Sequence, residues 1–470
     1  MIAHLKKITL FFIIFIFSIN IHATSLRDSI EQAINLNPDI IAEHYNKKES
    51  KLDINKEEAD YYPTVDLKGY LEDSTIESNY KDTTPDSTLK QDGWNATITL
   101  EQILYDGGKT TKEVEKYRHK YYNTKYTSKE ATEDIILETT NTYLDLLLNQ
   151  TLEAFGNYKL KAHKYYLQLA QEKEDISGEI LDRLQVQSKI NSLIDNQLEQ
   201  EVKKQKAMSS YERLTANTIK GNICRPILDE KLIPKNIEDA IFDALKNNNK
   251  IQAQYELVQE KKASISIQKA SFLPDLKLEL QSEWDKDLSL EENGEEKTYR
   301  ARLQSSWNLY SGGKDSASLS KEKISMLKER KILDAIKNDV RDEIKGTYNT
   351  YFQLKKRIKN LKEYVDINNQ IVSVYREQLK EGSRTFLDLL NAENEVFRTK
   401  VLLVEEEINQ YKEYFNILKA LNKLSDSILS QKNIACQEFD TSKVLPNYDD
   451  FYKNQEDELE ETAKELGLEE

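Results

Sequence analysis

One stretch of this sequence occurs twice, and the repetition limits the folds open to the chain more than any other feature. Ser25-Leu26-Arg27-Asp28-Ser29-Ile30 precedes Ala33, Asn37, Ile40 and Ala42. Asn236-Ile237-Glu238-Asp239-Ala240-Ile241 precedes Ala244, Asn248, Ile251 and Ala253, 211 residues later, and Pro63 and Pro274 keep that offset. Leu104-Tyr105-Asp106-Gly107-Gly108-Lys109 then returns as Leu309-Tyr310-Ser311-Gly312-Gly313-Lys314 at an offset of 205, as does Thr142-Tyr143 in Thr347-Tyr348. Ordered blocks at a nearly constant offset mark an internal structural repeat. The first unit spans 24–235 and the second 236–425, leaving 426–470 as a C-terminal segment.

Proline divides each unit. None occurs from 86 to 225 or from 275 to 445. Those stretches are rich in Leu, Lys, Glu, Gln and Ile, as long helices require. The pairs Gly107-Gly108 and Gly312-Gly313 mark strand-to-helix turns where the long helices begin, and Gly178 and Gly382 mark their reversals. Residues 110–177 and 314–381 each predict a helix of about 100 Å at 1.5 Å per residue. Residues 26–60, 180–216, 237–271 and 385–422 predict four shorter helices, two of which laid end to end match one long one. Helices of this length bury a core only against antiparallel neighbours.

Between the first short helix and the long helix of each unit the period changes to two. Val65, Leu67, Gly69 and Leu71 alternate with Asp66, Lys68 and Tyr70; Trp94, Ala96, Ile98 and Leu100 alternate with Asn95, Thr97, Thr99 and Glu101. Leu276, Leu278 and Leu280 alternate with Lys277, Glu279 and Gln281; Ala301, Leu303, Ser305 and Trp307 alternate with Arg300, Arg302, Gln304 and Ser306. This predicts strands at about 63–72, 93–105, 274–284 and 298–309, each with one apolar and one polar face. Two settings produce such strands: a soluble sheet lying on a core, or an outer-membrane barrel, apolar outward and about ten residues deep. No helix remains unassigned to cover a soluble sheet. Trp94, Trp284 and Trp307 supply interface aromatics. Four strands cannot close a barrel, and open edges do not exist in lipid. A membrane sheet of this kind therefore requires several chains to share one barrel.

The remaining features bound the chemistry. Residues 1–23 have a basic start (Lys6, Lys7), an apolar run from Ile8 to Ile19 too short to span a bilayer, and Ala23 at a small-residue junction, which is the pattern of a secretory signal peptide. Export implies an oxidising compartment, where Cys224 and Cys436 either form a disulfide or remain as two thiols. A net charge of −15 argues against nucleic acid. No phosphate loop, His-Glu-x-x-His, Cys-x-x-Cys or Gly-x-Ser-x-Gly is present, so no enzyme, cofactor or metal is expected. His44, His119 and His163 fall on helices at positions expected to face solvent, and Glu405-Glu406-Glu407 reads as a solvated helix face. Residues 456–470 carry eight acids and one lysine, a tail or a short exposed helix.

The Ser25–Pro38 block, Tyr62-Pro63, Tyr105-Asp106-Gly107-Gly108 and Gly382-Ser383-Arg384-Thr385-Phe386-Leu387-Asp388-Leu389-Leu390-Asn391-Ala392 together resemble the TolC-like outer-membrane efflux and secretion channels, over about residues 25–425. The resemblance implies an α+β membrane protein: a homotrimer in which each chain gives four strands to one twelve-stranded β-barrel, while long antiparallel coiled-coil helices form a periplasmic α-barrel. It implies a passive exit duct of a type I secretion or efflux system, working with a periplasmic adaptor (membrane fusion) protein and an inner-membrane ABC transporter or proton-driven pump. It also implies a gate at the periplasmic tip, with Asp388 and Asn391 at the constriction, Arg384 as a latch, and Asp182 beyond Gly178 as the latch's acidic partner. Asp388 can equally serve as a helix N-terminal acid, and Arg384 as a solvated surface residue. The competing function is a periplasmic coiled-coil scaffold without a barrel.

Overall fold

The computed structural model describes residues 24–78, 87–178, 180–219, 221–288, 294–381 and 383–430. The 1–23 segment, Gly382, Cys436 and the acidic tail lie outside them. The element order is α1 (Leu26–Leu36), α2 (Pro38–Glu58), β1 (Thr64–Ser78), β2 (Ser87–Tyr105), α3 (Lys109–Ser177), α4 (Leu181–Thr215), α5 (Ile237–Asn247), α6 (Asn249–Ala270), β3 (Asp275–Lys286), β4 (Glu295–Ser306), α7 (Lys314–Lys380), α8 (Phe386–Ala420) and α9 (Leu424–Leu429). Among the described residues no helix is long and apolar enough to cross a membrane.

Each segment expected as one helix before a hairpin is two, and the break is made by asparagine. Asn37 ends α1 in an extended conformation and then caps α2, its Oδ1 accepting from the Asp39 and Ile40 amides. Its Nδ2 donates to the Leu214 carbonyl at 3.0 Å, at the end of α4. Asn248 does the same between α5 and α6, accepting from the Lys250 amide and donating to the Ala420 carbonyl at 3.5 Å. Both side chains are buried. An asparagine can satisfy an N-terminal amide and a C-terminal carbonyl at once, which joins three helix ends at one point.

The helices stand side by side as a wall. In the half next to the sheet, α3 packs against α2 and α6, and α6 against α7; in the far half α3 packs against α4 and α8, and α8 against α7. Arg118–Glu58 and Lys120–Asp53 tie α3 to α2, and Lys204–Glu153 ties it to α4. The main core lies at mid-height, where Tyr143, Tyr211, Tyr351, Tyr414, Phe415 and Ile136 gather with α1, α5 and α9. A second core, with Ala162, Tyr166, Val186, Ile190, Val372 and Leu390, binds the four far helices together. The first described residues are stitched into the middle: Thr24 bridges Ile223, and the Tyr143 hydroxyl donates to the Thr24 and Cys224 carbonyls.

Two solvated-face expectations are corrected here. Glu406 is 7% exposed and pairs with Arg357 at 3.0 Å, while Glu407 pairs with Arg225 at 2.8 Å and Lys362 at 3.1 Å. Three cations from other segments reach in to neutralise the acids, as burial of charge requires. His163 is 1% exposed, and His119 is half-buried with Nδ1 2.7 Å from Glu256.

Candidate functional site

The strands form one antiparallel sheet in the order β1-β2-β3-β4, so β1 and β4 are its edges. Register follows the alternation. Val65 faces Leu100, which faces Leu280, which faces Ala301; Leu67 and Ile98 lie in the next row. On the opposite face Glu101 faces Glu279 and Glu279 faces Arg302, with Thr99, Gln281 and Arg300 beside them. The two hairpins are longer than the alternation suggests, with β1 reaching Ser78 and β2 starting at Ser87. β4 stops at Ser306, and the next residue's side chain, the Trp307 indole, donates to the Phe272 carbonyl at 3.2 Å.

The two faces differ in chemistry. Leu67 is 73% exposed and Leu71 84% exposed on the apolar face, with Val65 open beside them on β1 and Tyr299 and Leu303 open on the same face at the other edge, β4. Among the described residues nothing covers these side chains, although a contiguous apolar area of this kind is rare on a soluble surface. The polar face is laced with ions: Lys277–Glu101 at 2.7 Å, Arg300–Glu283 at 2.7 Å and Arg302–Glu279 at 3.2 Å. Asn95 adds hydrogen bonds to Glu283 and Asp285. Apolar outward and polar inward is the arrangement of a strand between lipid and water.

Both hairpins pass into the wall through glycine turns. Gly107, Gly108, Gly312 and Gly313 all have φ between 66° and 87°. At Gly107 a side chain would also meet Leu273 and the Ala270 carbonyl. Asp106 completes the first turn: its carboxylate accepts from the Gly108 amide at 2.9 Å and the Thr110 amide at 2.6 Å. Partial burial raises its carboxyl, and the hydrogen bonds from Thr110, Gly108 and Lys109 outweigh that and hold it below the usual aspartate range. Ser311 takes the corresponding place in the second half, where its hydroxyl donates to Asp315.

The other end of the wall carries the two helix reversals. Gly178 ends α3 at φ 74° and donates its amide to the Glu174 carbonyl. Asp182, in the first turn of α4, pairs with Lys173 at 2.6 Å, and Arg183 pairs with Glu174. Across the wall, Thr385 caps α8. Its hydroxyl donates to Asp388 at 2.7 Å and accepts from the Asp388 amide, while the Thr385 amide donates back to the Asp388 carboxylate. These bonds from Thr385, with Arg384 nearby, hold the Asp388 carboxyl below its ordinary range. The Arg384 guanidinium lies 4.5 Å from the Tyr375 ring centroid and donates to Gln378. Within one chain the structure therefore gives Asp182 and Arg384 separate partners. Asn391 is exposed one turn beyond Asp388. Cys224 is buried at mid-height, far from both ends.

Comparison with known proteins adds an independent line. The profile of the outer membrane efflux protein family matches residues 29–215 and again 240–423, one match in each half. The chain is 20% identical over 331 residues to the outer membrane efflux protein BepC of Brucella suis, covering 70% of this chain and 72% of that one. It is 23% identical over 322 residues to the alkaline protease secretion protein AprF of Pseudomonas aeruginosa, covering 65% of each. The solved structure of the Campylobacter jejuni CmeC outer membrane channel superposes with a TM-score of 0.75 at 14% identity, over 87% of both chains. Two-faced sheet, helical wall and a family match in each half agree: the chain belongs to the outer membrane efflux protein family, in the outer membrane and extending into the periplasm.

Proposed function

We propose that three copies of this chain join head to tail into one passive exit duct, each giving four strands to a twelve-stranded barrel and its helices to a periplasmic α-barrel. The observation that carries this reading is the two-faced sheet with two open edges. Strand edges cannot stay unpaired in lipid, and four strands are too few to close on themselves. Two copies would make an eight-stranded barrel, whose interior is filled by its own side chains. Three copies are the fewest that leave a lumen. The wall has the same two edges as the sheet: β1, α2 and α4 on one side, β4 and α7 on the other. An edge that meets a different edge is a heterologous contact, and such contacts generate rings.

The duct draws its energy and its selectivity from partners, namely a periplasmic adaptor and an inner-membrane ABC transporter or proton-driven pump. What supports a secretion or efflux role is the family and the two relatives, one described by efflux and one by secretion of a protease. The far tip, between Gly178 and Asp182 on one side and Ser383 to Asn391 on the other, is its gate. Asp388, part-exposed and ionised, repeats around the opening and favours cations. Arg384 and Asp182 act as latch groups between neighbouring copies. Cys224 and Cys436 form a disulfide, a pairing supported by Cys224 being disulfide-bonded in a chain with two cysteines.

Native mass spectrometry and planar-bilayer recording on detergent-purified protein test the duct. Trimers with discrete conductance are expected. A folded monomer in the soluble periplasmic fraction, silent in bilayers, would replace the duct by the scaffold reading.

A further inference from the structure

His163 has no part in the duct described above, yet it is among the most buried polar side chains of the far wall, 1% exposed. It lies on α3 between Ala162 and Tyr166, both members of the far core that joins α3, α4, α7 and α8. Its Nδ1 is 3.1 Å from the Lys159 carbonyl. A carbonyl only accepts, so Nδ1 carries the proton and Nε2 presents a lone pair. Among the described residues that buried Nε2 has no hydrogen-bond partner.

The charges around it are lopsided. On its own helix stand Lys159, whose ammonium lies 4.0 Å from the Phe397 ring centroid, and the Tyr166 hydroxyl, which donates to Glu393 at 2.5 Å. Lys189 approaches from α4. From α8 come Glu393 and the buried Lys400, and from α7 comes Arg376, paired with Glu393 at 2.7 Å. The charges that act on the ring are thus the cations Lys159 and Lys189, while the nearby acid, Glu393, is already engaged by Arg376 and Tyr166. A second proton on His163 would meet no acceptor and would add charge to a cationic, apolar site.

We propose that His163 is an acid-sensitive release point of the far wall: its protonation unseats α3 from α4 and α8 and loosens the tip. The packed form disfavours that proton. Burial first, then Lys159 and Lys189, push the ring from 6.5 down to about 4. The sign follows from linkage. A packed-state value below the free value means that the stabilisation is complete above 6.5 and drains away as pH falls from 6.5 toward 4. Lys159, lowered to about 8 by burial, is charged in both forms throughout that window and leaves the sign unchanged. A periplasmic surface meets external acid directly, so the window is one this wall can experience. Widening of the opening rests on the duct reading; loosening of the far core does not.

Hydrogen exchange of full-length protein in detergent, read on peptides spanning 159–170 and corrected for intrinsic rates, tests it. The opening ratio of the wild type is expected to rise about thirtyfold from about pH 7.5 to about pH 5. His163→Gln and His163→Leu should each flatten that rise to under about twofold, while Lys159→Met should move its midpoint upward. An acid response that persists in both His163 variants, or a wild type whose protection does not change, overturns the proposal. Should the variants fail to fold, NMR of isotope-labelled histidine in the wild type decides. A ring titrating near its free value with no loss of protection overturns it, and a ring whose protonation coincides with the loss supports it. Bilayer conductance on acidification separates the two readings. Silence at every pH would remove the duct while leaving the exchange result standing.

Discussion

Asp388 caps a helix in the structure and is proposed to charge the gate with the same carboxylate, and the two can be separated. It closes the capping box on Thr385, and it presents charge at the tip. Asn keeps an acceptor oxygen for the cap and removes the charge. Asp388→Asn should therefore leave helix content and thermal midpoint unchanged while lowering the cation preference of the bilayer conductance. An unchanged preference would leave Asp388 as a cap alone. Single residues were the least legible level of this sequence. The Thr385-Asp388 box is visible as a local pattern, because both partners lie within one turn. His163 and Glu406 were not. Charged groups that act on them come from other helices, Lys189 on α4 and Arg357 on α7, and no local pattern announces a partner that distant. Arg384 is similar: its ring partner Tyr375 is a turn before the reversal, and residue type alone did not favour it over Asp182.

At the scale of elements the period of two identified the strands and both of their faces, since strand side chains alternate strictly. Their loop-side ends were harder to see. Mostly polar residues continue past Glu72 and before Trp94 on both faces, so the alternation fades while hydrogen-bonded pairing goes on to Ser78 and Ser87. The long helices showed no single apolar stripe, because α3 meets α2 and α6 near the sheet and α4 and α8 near the tip. The buried face of such a helix rotates along its length, and a periodicity summed over it cancels. Glycine pairs and proline-free runs were better guides to length than hydropathy. The sheet yields a direct comparison of its faces. Leu67 on the apolar face and Asp66 on the polar face are neighbours in β1. Leu67→Arg should cost about 2–4 kcal/mol if the residue lies near the middle of the bilayer, and Asp66→Arg should cost far less. Urea unfolding from lipid vesicles reads both. Equal costs would mean that the apolar face does not meet lipid.

At the scale of the whole molecule, the edges of sheet and wall find no mates among the described residues. Exposed apolar side chains lie along both sides of the wall, Ile324, Leu327 and Ile367 on α7, and Leu52 on α2 with Leu198 and Val202 on α4. A helix stripe left open to water costs about 25 cal/mol per Å² of apolar surface, and burying it against the next copy recovers that. The sheet imposes the same demand through hydrogen bonds, so wall and barrel favour one assembly. The two contributions differ in how they fail. Ile367, 54% exposed in the far half of α7, lies far from the strands. Ile367→Glu places a charge in the proposed helical seam and leaves every strand untouched. The expected result is a trimer that dissociates at lower detergent or urea concentration, with circular dichroism of the separated chain unchanged. Leu198→Lys on the opposite edge should weaken the same seam, and the pair together should restore part of the loss, because the seam would then carry an acid on one edge and a base on the other at similar heights above the tip. Trimers as robust as the wild type in both single variants would place the copy-to-copy contact in the barrel alone, with the helical wall standing free.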